Sequence, residues 1–118
     1  MSTDDQMDRV FKALSNSTRR AICDALRDRP LTTGALVEEF HGLDRCTVMQ
    51  HLRILENAGL VVSVRKGRQR FNYLNSTPIQ EVHRRWIGPH AERASARLLA
   101  LKHALEGEPA ANMQAAEE

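Results

Sequence analysis

The side chains best suited to chemistry lie between Arg45 and Arg70, and the chemistry they suit is recognition. Gln50 carries an amide that can bond two atoms of an adenine edge at once, and Arg53 carries a guanidinium that can do the same for guanine. Each such pair discriminates between bases by roughly 1–3 kcal/mol. Thr47 precedes Gln50 by three residues, and Arg45 stands at the start of the run, able to reach a phosphate or a base edge. A second group, Arg65, Lys66, Arg68 and Arg70, surrounds Gly67. Cations there suit phosphate, which holds a protein in place without reporting base sequence. From Arg45 to Tyr73 six basic residues meet one acid, Glu56, so this segment is +5 in a chain of net charge +2. His51 sits nearer the apolar side of the run and is expected to pack and approach phosphate rather than read a base.

One helix and one hairpin must position these groups. Asp44 is a good N-cap, since its carboxylate can accept from an orphan amide of the first turn. Val48, Leu52 and Leu55 recur at helical spacing and form a stripe to be buried. Cys46, Gln50 and Arg53 then fall on the opposite face, with Thr47 and Met49 on its flanks. Gly59 supplies a left-handed residue to end the helix. Leu60, Val62 and Val64 alternate with Val61, Ser63 and Arg65, the period of a half-buried strand. Lys66-Gly67-Arg68-Gln69 makes a turn, and Phe71 and Tyr73 continue the apolar face on the return strand.

The run TVMQHLRILENAGLV, followed by RKGRQRFNYL, resembles the winged helix-turn-helix of ArsR-type bacterial repressors. VFKALSNSTRRAICDAL is similar to the first part of the same signature, and the resemblance spans roughly Asp8 to Glu106. It implies a mostly α fold with a small β-hairpin, dimeric through its terminal helices. It also implies sequence-specific binding to double-stranded operator DNA, with the helix in the major groove and the wing cations on phosphate or in the minor groove.

The remaining elements fit that plan. Met7, Val10, Phe11 and Leu14 make an amphipathic first helix from Asp4 to Leu14. Asn16 caps a second helix to about Asp28, with Ile22 and Leu26 inward and Cys23 at the margin. Ser17 stands where the family often has proline, an acceptable exchange in a first turn. Leu31-Thr32 can pair with the wing as a short strand. A third helix, capped at Thr32 or Thr33, runs through Phe40 and buries Leu36, Val37 and Phe40. His41-Gly42-Leu43 turns the chain into Asp44, with His41 explained by the dipole at a helix C-terminus. Thr77-Pro78 starts a helix carrying Ile79, Val82 and Trp86, which Gly88-Pro89 must break or kink, because Pro89 has no amide to donate. A last helix, Pro89 to Glu106, lines up Leu98, Leu101 and Leu105 with Leu99 beside them.

The apolar stripes of the first and last helices are wider than so small a core can absorb. Met7, Val10 and Phe11 with Leu98, Leu101 and Leu105 are therefore expected to form a twofold seam, which the resemblance also implies. Such a dimer demands a near-palindromic operator. Residues 1–106 are expected to be one winged helix-turn-helix domain with its dimerisation helices, and 107–118 a disordered tail. The first residues lack an apolar leader and no run is long enough to span a membrane, so the expected location is cytoplasmic.

Nothing in the chain supports catalysis: there is no glycine-rich phosphate loop and no nucleophile elbow. Cys23 and Cys46 match no zinc spacing, and the family's closely spaced thiolate ligands are absent. Cys46 near a helix N-terminus and arginines could be redox-sensitive, but a lone thiol at a tolerant position is the simpler reading. Some members of the family bind zinc between terminal helices; here His90, Glu92, His103 and Glu106 keep that spacing with the first two ligand types exchanged. Two His and two Glu could complete a tetrahedral site across a dimer, whereas exposed charges on a helix meet such spacings by chance. No metal or other cofactor is expected, and a zinc-responsive repressor is one alternative. The other is a winged-helix adaptor that binds protein, which should show an apolar patch where this chain has Gln50, Arg53 and the wing cations. The effector is unknown.

Overall fold

The computed structural model describes residues 2–107. Helix α1 (Thr3–Leu14) and helix α2 (Ser17–Ala25) precede a short strand β1 (Leu31–Thr32). Helices α3 (Thr33–Glu39) and α4 (Arg45–Asn57) follow, then the hairpin of β2 (Val61–Lys66) and β3 (Gln69–Leu74). Helix α5 (Thr77–Val82), a π-helical turn (His83–Ile87) and helix α6 (Gly88–Glu106) complete the chain. By packing, the chain divides into two compact units with the boundary between Gln80 and Glu81.

In the first unit helices α1 to α4 each begin on a side chain that accepts from the amide three residues on. Ser2, Asn16, Thr32 and Asp44 serve Asp5, Arg19, Ala35 and Thr47, the N-cap arrangement that satisfies an orphan donor. The end of α1 is closed from the next helix: Arg19 donates to the Ala13 and Lys12 carbonyls, and Arg20 to that of Leu14. Helix α2 is shorter than expected. It stops at Ala25, because Leu26 turns back to the Ile22 and Cys23 carbonyls and Pro30 follows.

The core gathers Val10 and Ala13 of α1, Ile22 and Leu26 of α2, Leu36 of α3 and the α4 stripe Val48, Leu52 and Leu55. Val37 and Phe40 are half-buried rather than buried, since α3 has only seven residues and presents one narrow face. Cys23 is buried, not marginal. Burial, and next the Asp24 charge, push its thiol up to about 11.

The three strands form an antiparallel sheet in the order β1-β3-β2. Leu31-Thr32 pairs with Asn72 and Phe71, as expected of that dipeptide. Leu60, just before β2, is buried as expected, but from Val61 onward the faces of the hairpin are the reverse of the expectation. Val61 is 3% exposed while Val62 is 49% and Val64 40% exposed, so the outer face carries Val62, Val64, Phe71 and Tyr73. The inner face carries Val61 with Leu74 and Ser63 with Asn72. The reason is Asn72, which is fully buried and donates to the Leu31 carbonyl and the Thr33 hydroxyl while accepting from Ser63. A one-residue choice of face carries every side chain with it.

In the second unit, Gly88-Pro89 neither breaks nor sharply ends the helix. The turn widens to π geometry, and the Gly88 amide bonds the His83 carbonyl five residues back. That spacing accommodates a proline, whose ring otherwise meets the carbonyl four residues earlier. Helix α6 therefore starts at Gly88. No α6 residue is buried, and Leu98 and Leu105 are 66% and 77% exposed. The expected disordered tail lies outside the described residues apart from Gly107. Among the described residues no helix is long and apolar enough to cross a membrane.

Candidate nucleic-acid interface

Helix α4 is held firmly at both ends. Asp44 accepts from the Thr47 amide at 2.7 Å, and that bond holds its carboxyl below the usual range. At the other end the Leu60 amide bonds Leu55 and the Gly59 amide bonds Glu56, both at 2.9 Å. This is the Schellman closure, with Gly59 at φ 80° as its left-handed residue. Gln6 of α1 and Asn75 after β3 then hold the Ala58 and Gly59 carbonyls.

With Val48, Leu52 and Leu55 buried, the helix presents Arg45, Cys46, Gln50 and Arg53 to solvent, and Thr47 is half-buried beside them. His51 is partly buried, and its Nδ1 stands 3.3 Å from Arg19 Nη1. A guanidinium can only donate, so Nδ1 accepts and the ring proton sits on Nε2. Burial, and next the Arg19 charge, lower the His51 pKa, keeping the imidazole neutral.

Gly67 at φ 65° and Arg68 form the two-residue hairpin turn, the pattern of a type II′ turn with glycine first. Arg65, Lys66, Arg68 and Arg70 are all exposed. The Lys66 ammonium lies 5.5 Å from the Phe71 ring centroid. Arg70, expected to be a wing cation for phosphate, instead reaches back across to α4 and bonds Glu56 at 2.5 Å. An open groove of about 570 Å³ lies between α4, the start of α3 and the wing, and Arg45, Arg65, Arg68 and Arg70 line it. Arg53 borders a smaller cleft that shares Met49, Glu56 and Arg70 with the groove.

The structure thus brings Arg45 of α4 to one groove with Arg65, Arg68 and Arg70 of the wing and puts Arg53 in the adjoining cleft, while Gln50, exposed on α4, lines neither. Where an adaptor would show an apolar patch, this surface is polar and cationic. The expected seam residues divide differently. Met7 and Val10 are buried in the chain's own core and cannot also face a partner, whereas Phe11 is 47% exposed. Leu98, Leu101 and Leu105 are all exposed in the second unit. His90 and Glu92 are thirteen and fourteen residues from His103 and Glu106, about 20 Å along a helix. Within one chain they share no centre, and the described residues contain no group of three or more metal-ligating side chains. Arg19, Glu56 and Asn72 shape the site yet were not anticipated. Only Asn72 left a signal, as a poor strand former between two aromatics.

Residues 14–64 match the family described as a helix-turn-helix domain. The chain is 38% identical over 86 residues to an uncharacterised HTH-type transcriptional regulator, YuzN, of Bacillus subtilis, covering 68% of this chain and 94% of that one. It is 37% identical over 75 residues to the transcriptional repressor SdpR of the same organism, covering 64% and 82%. A crystal structure of an ArsR family transcriptional regulator superposes with a TM-score of 0.68 at 26% identity, covering 80% of this chain and 95% of that one. The chain belongs to the ArsR-type transcriptional regulators. As a regulator of that type it is not an enzyme, and its winged helix-turn-helix is the framework on which the arginines and Gln50 are displayed.

Proposed function

We propose that this ArsR-type regulator is a homodimeric repressor that binds a near-palindromic operator in the cytoplasm. The observation that carries the reading is the arginine-lined groove between α4 and the wing, with Arg53 in the adjoining cleft and Gln50 exposed on the same helix. In this reading Thr47, Gln50 and Arg53 enter the major groove and Arg45 reaches phosphate or a base edge. His51, neutral and tied to Arg19, packs α4 against α2 and faces the backbone. Arg65, Lys66 and Arg68 contact phosphate from the wing. Leu98, Leu101 and Leu105 of α6, with Phe11 of α1, join two copies, and the two α4 helices then stand about 34 Å apart, one turn of DNA. The similarity to a repressor, SdpR, supports the direction of regulation.

Titration of the chain's own promoter DNA against a random duplex, across a salt series, tests this. Arg45, Arg65, Lys66 and Arg68 from two copies would neutralise about eight phosphates, giving a slope of log affinity against log salt near −7. Equal affinity for the two duplexes, or indifference to salt, would defeat the reading.

A further inference from the structure

Among the described residues Glu56 is the only acid lining the groove between α4 and the wing, alongside Arg45, Arg65, Arg68 and Arg70. Its carboxylate receives Arg70 Nη2 at 2.5 Å. Its side chain is 28% exposed, against 42% for Arg70, so the acid is the more enclosed partner. A carboxylate and a phosphate are equivalent partners for a guanidinium, each taking its donors in short charge-assisted bonds. We propose that Glu56 withholds Arg70 from DNA, occupying the guanidinium in the place of a phosphate and so setting how many phosphate contacts each half-site makes. This rests on the DNA-binding reading above.

The consequence falls on affinity for DNA of any sequence, because phosphate contacts carry no base information. Arg70 gains nothing from an incoming phosphate that Glu56 does not already supply, and the acid repels the phosphate from the groove. A different role would give a different result. Arg65 and Arg70 are direct cross-strand partners, and like charges so placed push a hairpin apart. Were Glu56 present only to offset that repulsion, removing its charge would loosen the wing and weaken binding.

The experiment measures the salt slope of wild type, Glu56→Gln, Arg70→Gln and the double variant on operator and random duplexes between 50 and 200 mM salt. Glu56→Gln is expected to bind both duplexes more tightly. Each added phosphate contact contributes a slope of about −0.9, so two half-sites steepen it by about 1.8. The advantage over wild type then grows roughly twelvefold from 200 to 50 mM. The double variant is expected to return to the wild-type slope, and Arg70→Gln alone to keep it. Weaker or unchanged binding by Glu56→Gln overturns the proposal, as does a steepened slope that survives in the double variant. If Glu56→Gln does not fold by circular dichroism, Arg70→Gln decides, since a slope flattened by about 1.8 shows Arg70 already on phosphate. Absence of salt-dependent binding by the wild type instead removes the DNA-binding reading itself.

Discussion

In the proposed function, Gln50 and Arg68 divide the work of recognition between them. Gln50 stands exposed on the outer face of α4, where an amide can distinguish one base pair from another. Gln50→Ala should therefore relax preference at one position per half-site, at a cost of about 1–3 kcal/mol on the operator. Arg68 sits in the hairpin turn with phosphate as its expected partner, so Arg68→Ala should weaken operator and random DNA alike. A selection of bound sequences from randomised DNA, run on both variants, separates the two roles. His51 makes a prediction about acid. Its folded pKa lies below its unfolded value of 6.5, so the unfolded chain takes up a proton first as pH falls. The His51 contribution is thus complete above about pH 6.5 and is lost progressively below it. Thermal melts at pH 7.5 and 5.5 should show a drop in wild type that is smaller in His51→Gln. The Asp44 carboxyl, also lowered, belongs to a separate window below about pH 4.

At the scale of elements, the wing is oriented by a buried polar residue. Asn72 bonds β1, the first residue of α3 and β2 at once, and among the described residues no buried side-chain polar atom lacks a partner. Asn72→Ala would leave the Thr33 and Ser63 hydroxyls and the Leu31 carbonyl short of a partner. A buried group so stranded costs about 1–3 kcal/mol, so denaturant unfolding should show a loss of about 2 kcal/mol. A loss under 0.5 kcal/mol would mean that water enters and replaces the amide. The π-helical turn shows the same economy, since one widened turn lets helical hydrogen bonding pass through Gly88-Pro89.

For the whole molecule the decisive question is association. Leu98, Leu99, Leu101 and Leu105 are more than half exposed on α6, a density of apolar side chains that calls for a covering surface. Leu98→Glu with Leu101→Glu should convert a dimer to a monomer in sedimentation and abolish operator binding, since one half-site supplies only part of the energy. Far-ultraviolet circular dichroism should remain close to wild type, because no residue of α6 is buried. A variant that still sediments as a dimer places the seam elsewhere.

Sequence alone determined much of what depends on neighbours a few residues apart, though not the early end of α2 or the π-helical turn before Pro89. The caps at Asn16 and Asp44, the α3 cap as one of two adjacent threonines, the α4 stripe, the glycine at its end and the hairpin turn at Gly67 are local choices, and all were legible. So was the outward face of Gln50 and Arg53, because burying Val48, Leu52 and Leu55 leaves them no other direction. Tertiary structure decided what depends on distant partners. The alternation in β2 fits either face, and the apolar count favoured Val62 and Val64 inward. Asn72, anchored 41 residues away at Leu31, turned them outward instead. Arg70 looked like its neighbours in the wing until Glu56, fourteen residues back, came within 2.5 Å. Met7 and Val10 carry the same apolar character as Phe11, yet the helices packed on α1 consumed the first two and left the third at the surface. Periodicity records how much apolar surface a segment has to hide, and only the assembled chain settles against what it is hidden.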